Sequence, residues 1–330
     1  MSDVPFPCGS IPTMITPFCV DGSVDYETVD KLVEWYILSG CVGIFSPCLS
    51  SEMFELSEEE RLALAQRIAV AVGDRDIVVV STGTYGGPLE DQASFINKIS
   101  AHCDAVVVNT STIAPLGASD EEWRAAASTI LSLTGNVKLG LYECPLPFKR
   151  LLSPALIEWS ASTGRFWFHK DTSCSTSDMQ AKLNAIASVK GTPFRFYNAN
   201  VETLLASLEM GGHGFSGICA NLYPHLSAWL CANHDRDRAN ASTVQDFLSV
   251  AEATVCVNYP ASAKLYLCNR LVQNHLCRTK GEGREPKGKG PFLEHQRAAL
   301  DSLRRMCNFV CRACGIPDTT PPLHTNGAAE

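Results

Sequence analysis

The chain has 330 residues, 45% of them hydrophobic and 19% charged, enough apolar material for one barrel-sized domain with an appendage or for two smaller domains. Its formal charge of -8, with 27 Lys and Arg against 35 Asp and Glu, argues against a nucleic-acid partner and leaves room for small anions held by local positive charge. No apolar run approaches the ~20 residues that span a bilayer, and the opening MSDVPFPCGS has no basic-then-apolar pattern, so a cytoplasmic protein without a membrane partner is expected.

Short β-branched runs alternate with longer amphipathic stretches. IPTMIT (11–16) is followed by 25–39, CVGIFS (41–46) by 57–72, DIVVVST (76–82) by 89–101, and DAVVVN (104–109) by 119–134. The pattern continues with NVKLGLY (136–142) and 153–163, RFWFHK (165–170) and 176–189, PFRFYN (193–198) and 200–211, then GFSGICA (214–220). Eight strand-then-helix units predict an α/β fold, a closed (β/α)8 TIM barrel. Ser57 before Glu58, Glu59 and Glu60, and Ser119 before Asp120, Glu121 and Glu122, read as capped and charged helix starts.

After about residue 230 the strands stop, and helical patterns remain at 241–256, 260–275 and 292–314. The expected organisation is therefore a barrel over 1–230, a helical region over 231–316 and a disordered tail over 317–330. The basic, Gly-rich segment 278–291 reads as a solvated loop. Fifteen cysteines, odd in number and scattered through strands and helices, read mostly as reduced, buried, small apolar residues. Cys307, Cys311 and Cys314 have the CxxxCxxC spacing of an iron–sulfur motif. On an amphipathic helix they form a stripe instead of a wrapping loop, and no metal or cofactor is expected.

Chemistry in such a barrel gathers at the carboxyl ends of the strands. The second strand runs into Cys48-Leu49-Ser50-Ser51-Glu52, the fifth ends at Tyr142-Glu143-Cys144-Pro145, and the sixth ends at Lys170-Asp171-Thr172-Ser173. A lysine closing an aromatic strand sits where burial pulls its pKa down, and a neutral amine is a nucleophile. Strand alternation aims His169 at the surrounding helices, and Glu52 is expected to brace its turn.

These strand ends, with GSIPTMITPF at 9–18 and Gly211-Gly212-His213-Gly214-Phe215-Ser216-Gly217-Ile218-Cys219-Ala220-Asn221, resemble the dihydrodipicolinate synthase and N-acetylneuraminate lyase family of class I aldolases over about residues 9–230. The resemblance implies that Lys170 forms a Schiff base with pyruvate or another 2-oxo acid and that Tyr142 shuttles protons. It further implies that Ser50 and Ser51 hold the substrate carboxylate, that Ser216 lies in the substrate site, and that the chain forms a homo-oligomer, a dimer or tetramer.

Three departures narrow the activity. Pro147 stands where the dihydrodipicolinate-forming enzymes resemble a carboxylate-gripping arginine, with Lys149 and Arg150 close behind. Thr110-Ser111-Thr112-Ile113 replaces a tyrosine-bearing segment that reaches a neighbouring subunit, and Ala199-Asn200-Val201 replaces the G-D-E of sialic-acid lyases. A lyase joining or splitting a 2-oxo acid and an aldehyde is the leading reading. A hydro-lyase using the same iminium and a catalytically silent barrel are the alternatives.

Overall fold

The computed structural model describes residues 5–280 and 294–322. Eight parallel strands, β1 (Gly9–Ser10), β2 (Gly43–Phe45), β3 (Val78–Thr82), β4 (Ala105–Asn109), β5 (Leu139–Tyr142), β6 (Phe166–Asp171), β7 (Arg195–Asn198) and β8 (Gly214–Phe215), form one sheet. β1 pairs with β8, and the sheet closes on β2 through Val42 N–H to Ser10 O (3.0 Å) and Met14 N–H to Phe45 O (3.0 Å). The expected (β/α)8 barrel is therefore present. The first strand, expected over IPTMIT (11–16), lies just before it at Gly9–Ser10; Pro12 has no N–H to give to a ladder, and within the expected run only Thr13 bridges to Phe45.

Helices follow the strands: α1 (Tyr26–Leu38), α2 (Glu58–Val72), α3 (Leu89–Ile99), α4 (Asp120–Leu133), α5 (Pro154–Ser162), α6 (Thr176–Ser188), α7 (Leu204–Glu209) and α8 (Pro224–Asn233). Ser57 and Ser119 cap α2 and α4 as expected, each hydroxyl accepting from the third helical N–H while Glu60 and Glu122 reach back to the cap N–H. Gly140 in β5 is required by packing, because a Cβ there would lie 2.1 Å from the Phe168 ring inside the barrel.

The later helices are α9 (Arg238–Val255), α10 (Ala261–Leu267) and α11 (Glu294–Cys314). The helix expected over 260–275 stops at Leu267 because the chain turns at Asn269, which is left-handed at φ 60°, and Cys268 then bridges to Val272. One apolar cluster joins Val33 and Tyr36 of α1, Leu226 of α8, Phe247 and Leu248 of α9, Tyr266 of α10 and Leu303 of α11, so the region after 230 packs into the barrel's outer core.

Of the solvated loop expected at 278–291, Arg278 is pinned by Glu60 at 2.6 and 2.7 Å, and 281–293 lie outside the described residues. Of the disordered tail expected at 317–330, residues 317–322 pack on the fold. Trp35 Nε1 donates to Thr319 O at 2.9 Å, and the Ser39 and Thr319 hydroxyls lie 2.6 Å apart. The fifteen cysteines carry no disulfide, and Cys41, Cys48, Cys144 and Cys219 are buried. Among the described residues no helix is long and apolar enough to cross a membrane.

Candidate active site

β6 carries two opposite chemistries on its two sides. Tyr142 on β5 is paired in register with Lys170 on β6, and both point inward with Phe45 and Phe168, whereas His169 and Asp171 point outward. Lys170 is 4% exposed, its Nζ 4.1 Å from the centroid of the Tyr142 ring and 5.2 Å from that of Phe45. Among the described residues no carboxylate lies within ion-pair distance of this amine.

Burial therefore pulls the Lys170 amine down to about 8. The nearest groups able to oppose this are the thiols of Cys48 and Cys144, and burial pushes both of those up, Cys144 to about 11, so they stay neutral at pH 7. Tyr142 is raised well above its ordinary value, chiefly by burial, and its hydroxyl hydrogen-bonds the Cys144 thiol. A neutral phenol thus stands over an amine poised near neutrality.

The turn after β2 supplies the serines. Ser50 Oγ donates to Thr13 Oγ1 (3.1 Å), while Ser51 Oγ donates to Met14 O (2.6 Å) and accepts from Cys48 N–H (3.0 Å). The Ser51 hydroxyl is thereby tied inside the fold, to Met14 O, Cys48 N–H and the Ser46 hydroxyl at 3.0 Å, whereas Ser50 Oγ reaches Thr13. Glu52, left-handed at φ 59°, ends the turn and braces it as expected. Its carboxylate takes Lys264 Nζ at 2.6 Å and the N–H groups of Arg278 and Thr279 at 2.6 Å each, with both charged side chains fully buried. Ser216, 4% exposed, follows β8 and donates its N–H to Asn198 O at 2.8 Å.

Tyr259 is a neighbour that sequence reasoning missed. Its hydroxyl accepts from Asn221 Nδ2 at 3.0 Å, shares a hydrogen bond with Ser50, and lies close enough to Tyr142 to raise that phenol's pKa. The Asn258-Tyr259-Pro260 turn signal, with Asn258 left-handed at φ 59°, marks a bend but not its destination.

Behind the barrel wall, Lys182 of α6 holds Glu143 Oε1 at 2.6 Å and Asp171 Oδ2 at 2.5 Å, with His169 Nε2 3.3 Å from the same Glu143 oxygen. Burial alone would pull Lys182 down, yet the two carboxylates carry it above its ordinary value. Burial likewise opposes ionisation of Asp171, and the His169 and Lys182 contacts overcome it and hold the carboxyl low. Glu143, His169 and Asp171 have the spacing of metal ligands, but the ammonium of Lys182 occupies the cation's place between the carboxylates.

Arg150, a candidate to replace the arginine lost at Pro147, spends its guanidinium on Ala118 O (2.8 Å) and Ser119 O (3.2 Å) beside α4. The 110–113 segment is tied within the chain, with Thr112 Oγ1 2.8 Å from Thr84 Oγ1 and Thr110 Oγ1 donating to Arg150 O at 2.7 Å.

The model of the dihydrodipicolinate synthetase family matches residues 7–278. The chain belongs to that family. Across 232 residues it is 27% identical to 4-hydroxy-tetrahydrodipicolinate synthase of Leptothrix cholodnii, covering 68% of this chain and 73% of that one. Across 262 residues it is 25% identical to a probable 2-dehydro-3-deoxy-D-pentonate aldolase of Escherichia coli, covering 76% and 83%. An Escherichia coli prophage protein of the dihydrodipicolinic acid synthase family, solved with pyruvate, superposes with a TM-score of 0.75 at 22% identity, covering 91% and 98%. The fold is thus shared with family members whose named reactions differ.

Proposed function

We propose that the protein is a Schiff-base lyase that cleaves or condenses pyruvate, or a related 2-oxo acid, with an aldehyde. The observation that carries this reading is Lys170, a buried amine without a counter-charge whose pKa falls to about 8 beside a neutral phenol. At pH 7 roughly one-tenth of such an amine is uncharged, against roughly 0.03% of a lysine at its ordinary value, a gain of about 300-fold in nucleophile.

The neutral Nζ attacks C2 of the 2-oxo acid, its proton moves to the carbonyl oxygen, and the carbinolamine hydroxyl takes up a second proton, by way of Tyr142, and leaves as water to give an iminium. That cation withdraws electrons from C3, so a proton leaves C3 and the enamine carbon attacks the aldehyde; cleavage is the reverse. Tyr142, hydrogen-bonded to Cys144, gives and takes the proton at the new alcohol. Ser50 and the N–H groups of its turn take the substrate carboxylate, Ser51 shapes that turn, and Ser216 lines the same mouth. Tyr259 extends the hydroxyl chain from Ser50 within the same subunit. We also place the chain in a homo-oligomer, for which Met306 and Phe309 on α11, 48% and 65% exposed, offer apolar contact.

With Pro147 in the arginine's place and Arg150 committed, exposed Lys149 is the remaining cation of that loop for a carboxylate on the aldehyde. The reading is tested by borohydride reduction with pyruvate followed by peptide mass spectrometry, then by a screen of aldehydes and 3-deoxy sugar acids. The expected result is a reduced pyruvyl adduct on Lys170 and carbon–carbon bond exchange with at least one aldehyde. An unmodified Lys170 would overturn the lyase reading, and an adduct accompanied only by dehydration of a sugar acid would replace it with the hydro-lyase.

A further inference from the structure

The cysteine stripe on α11 meets a partner that its spacing did not reveal. Cys307 and Cys311, four residues apart and therefore on one helix face, direct their sulfurs at Nε2 of His225 from the first turn of α8, at 3.6 and 3.5 Å. All three side chains are buried, and their ligand atoms lie within 4.8 Å of one another. Cys314, one turn further on, is outside the cluster, so the iron–sulfur pattern is not assembled. Asp318, in the ordered segment after α11, places Oδ1 3.7 Å from the same His225 nitrogen.

These edges match a tetrahedron around a small ion. Zn–S bonds of about 2.3 Å and Zn–N bonds of about 2.1 Å at the tetrahedral angle set an S···N edge of about 3.6 Å, and Zn–O of about 2.1 Å sets an N···O edge of about 3.4 Å. Both observed S···N distances agree with the first value to about 0.1 Å, whereas Asp318 Oδ1, 3.7 Å from the nitrogen, lies outside the group whose ligand atoms are all within 4.8 Å of one another and would have to swing in to complete the tetrahedron. Nδ1 of His225 has no hydrogen-bond partner, so the polar contacts of this buried imidazole among the described residues are all with groups of metal-ligand type. Among the described residues no lysine or arginine ion pair fills the centre, unlike the cluster around Lys182.

We propose that His225, Cys307 and Cys311 bind one divalent ion of zinc's preference, with Asp318 swinging in as the fourth ligand when the ion binds, a structural site that pins α11 and the chain after it to the last helix of the barrel. Two sulfurs and an imidazole favour zinc over magnesium or calcium, and four protein ligands leave no open position for catalysis. Binding releases the two thiol protons, and the ion then holds three segments that are otherwise joined by apolar packing and the Thr319 contacts.

The test uses the full chain, reduced with a phosphine so that no thiol competes. Zinc is titrated and counted after dialysis, and cobalt(II) serves as the spectroscopic probe. One zinc per chain is expected, with the intense visible bands of tetrahedral cobalt and a thiolate-to-cobalt charge-transfer band. Chelation should lower the melting temperature by about 5 °C or more. Cys311→Ser and Cys307→Ser should lose the charge-transfer band and the chelator effect, whereas Cys174→Ser and Cys256→Ser, at exposed thiols, should keep both. Asp318→Asn, an isosteric change at a partly exposed side chain, should weaken zinc binding at least about tenfold. Absence of retained zinc in the reduced wild type, cobalt in an octahedral environment, or an unchanged spectrum in both Cys311→Ser and Asp318→Asn would each overturn the proposal.

Discussion

Replacing Lys170 by methionine should abolish adduct formation and at the same time stabilise the protein at neutral pH. The amine is held at about 8 because the folded chain buries it without a counter-charge, so it carries a penalty whenever it is protonated. Lowering a pKa from 10.5 to about 8 corresponds to roughly 3 kcal/mol, at about 1.36 kcal/mol per tenfold in proton affinity. Methionine keeps an unbranched stem of similar length and removes the charge, so a gain of ~1 to 3 kcal/mol is expected after imperfect packing against Phe45 and Tyr142. Below pH 8 the amine is protonated in both folded and unfolded chains, and the whole penalty falls on the wild type. Between 8 and 10.5 the folded chain sheds the proton first and the penalty shrinks; above 10.5 both forms are neutral and it disappears. Urea midpoints of the two proteins at about pH 6.5 and about pH 10 measure this, and their separation should narrow with rising pH. A methionine variant no more stable than wild type at the lower pH, with a separation that ignores pH, would refute the account of Lys170 as an unpaired buried charge.

In Tyr142→Phe the borohydride-trapped pyruvate adduct should persist while turnover falls ~10²- to 10⁴-fold, the usual worth of a positioned acid and base; wild-type turnover would send the proton by another route. Lys182→Met leaves Glu143 and Asp171 facing each other without their cation and should cost ~3 to 5 kcal/mol in urea unfolding. Because both carboxyls are held below their ordinary values, the stabilisation they lend is present above about pH 4.5 and is lost as pH falls further, so the wild type should lose stability through that acid range more steeply than the variant. Ser50→Ala should weaken pyruvate binding by ~1 to 3 kcal/mol with little change in stability. Ser51→Ala should instead lower stability by a similar amount, since it strips partners from Met14 O and Cys48 N–H, and calorimetry of binding and unfolding separates the two.

The barrel was legible because its signals are local. Eight strand-then-helix units, capping serines and the alternation that turns Lys170 inward and His169 outward are all written within a few residues of where they act. The site's second layer was less legible because its contacts join distant segments. The carboxyl ends of β5 and β6 meet Lys182 only once α6 has packed, Tyr259 arrives at Ser50 from a turn over two hundred residues later, and His225 meets Cys307 across 82 positions. Ser50 and Ser51 look alike as a pair, yet the Ser51 hydroxyl is consumed by Met14 O, Cys48 N–H and the Ser46 hydroxyl, a distinction made by the fold rather than by composition. At the start of the segment expected to be disordered, Thr319 finds Trp35 and Ser39 despite the proline-rich surroundings, and 323–330 lie outside the described residues.

The tether from Glu52 to Lys264, Arg278 and Thr279 bears on how far this protein tolerates shortening. Eight strands and eight helices are complete by Asn233, which invites a trimmed enzyme ending there. Such a chain would take from Glu52 its Lys264 partner and the Arg278 and Thr279 N–H groups, on a backbone already bent into the left-handed region, next to Ser51. It would also strip the apolar faces of α9, α10 and α11 from the barrel's outer core, so the smallest working unit is set by these contacts as well as by topology and extends at least to Thr279.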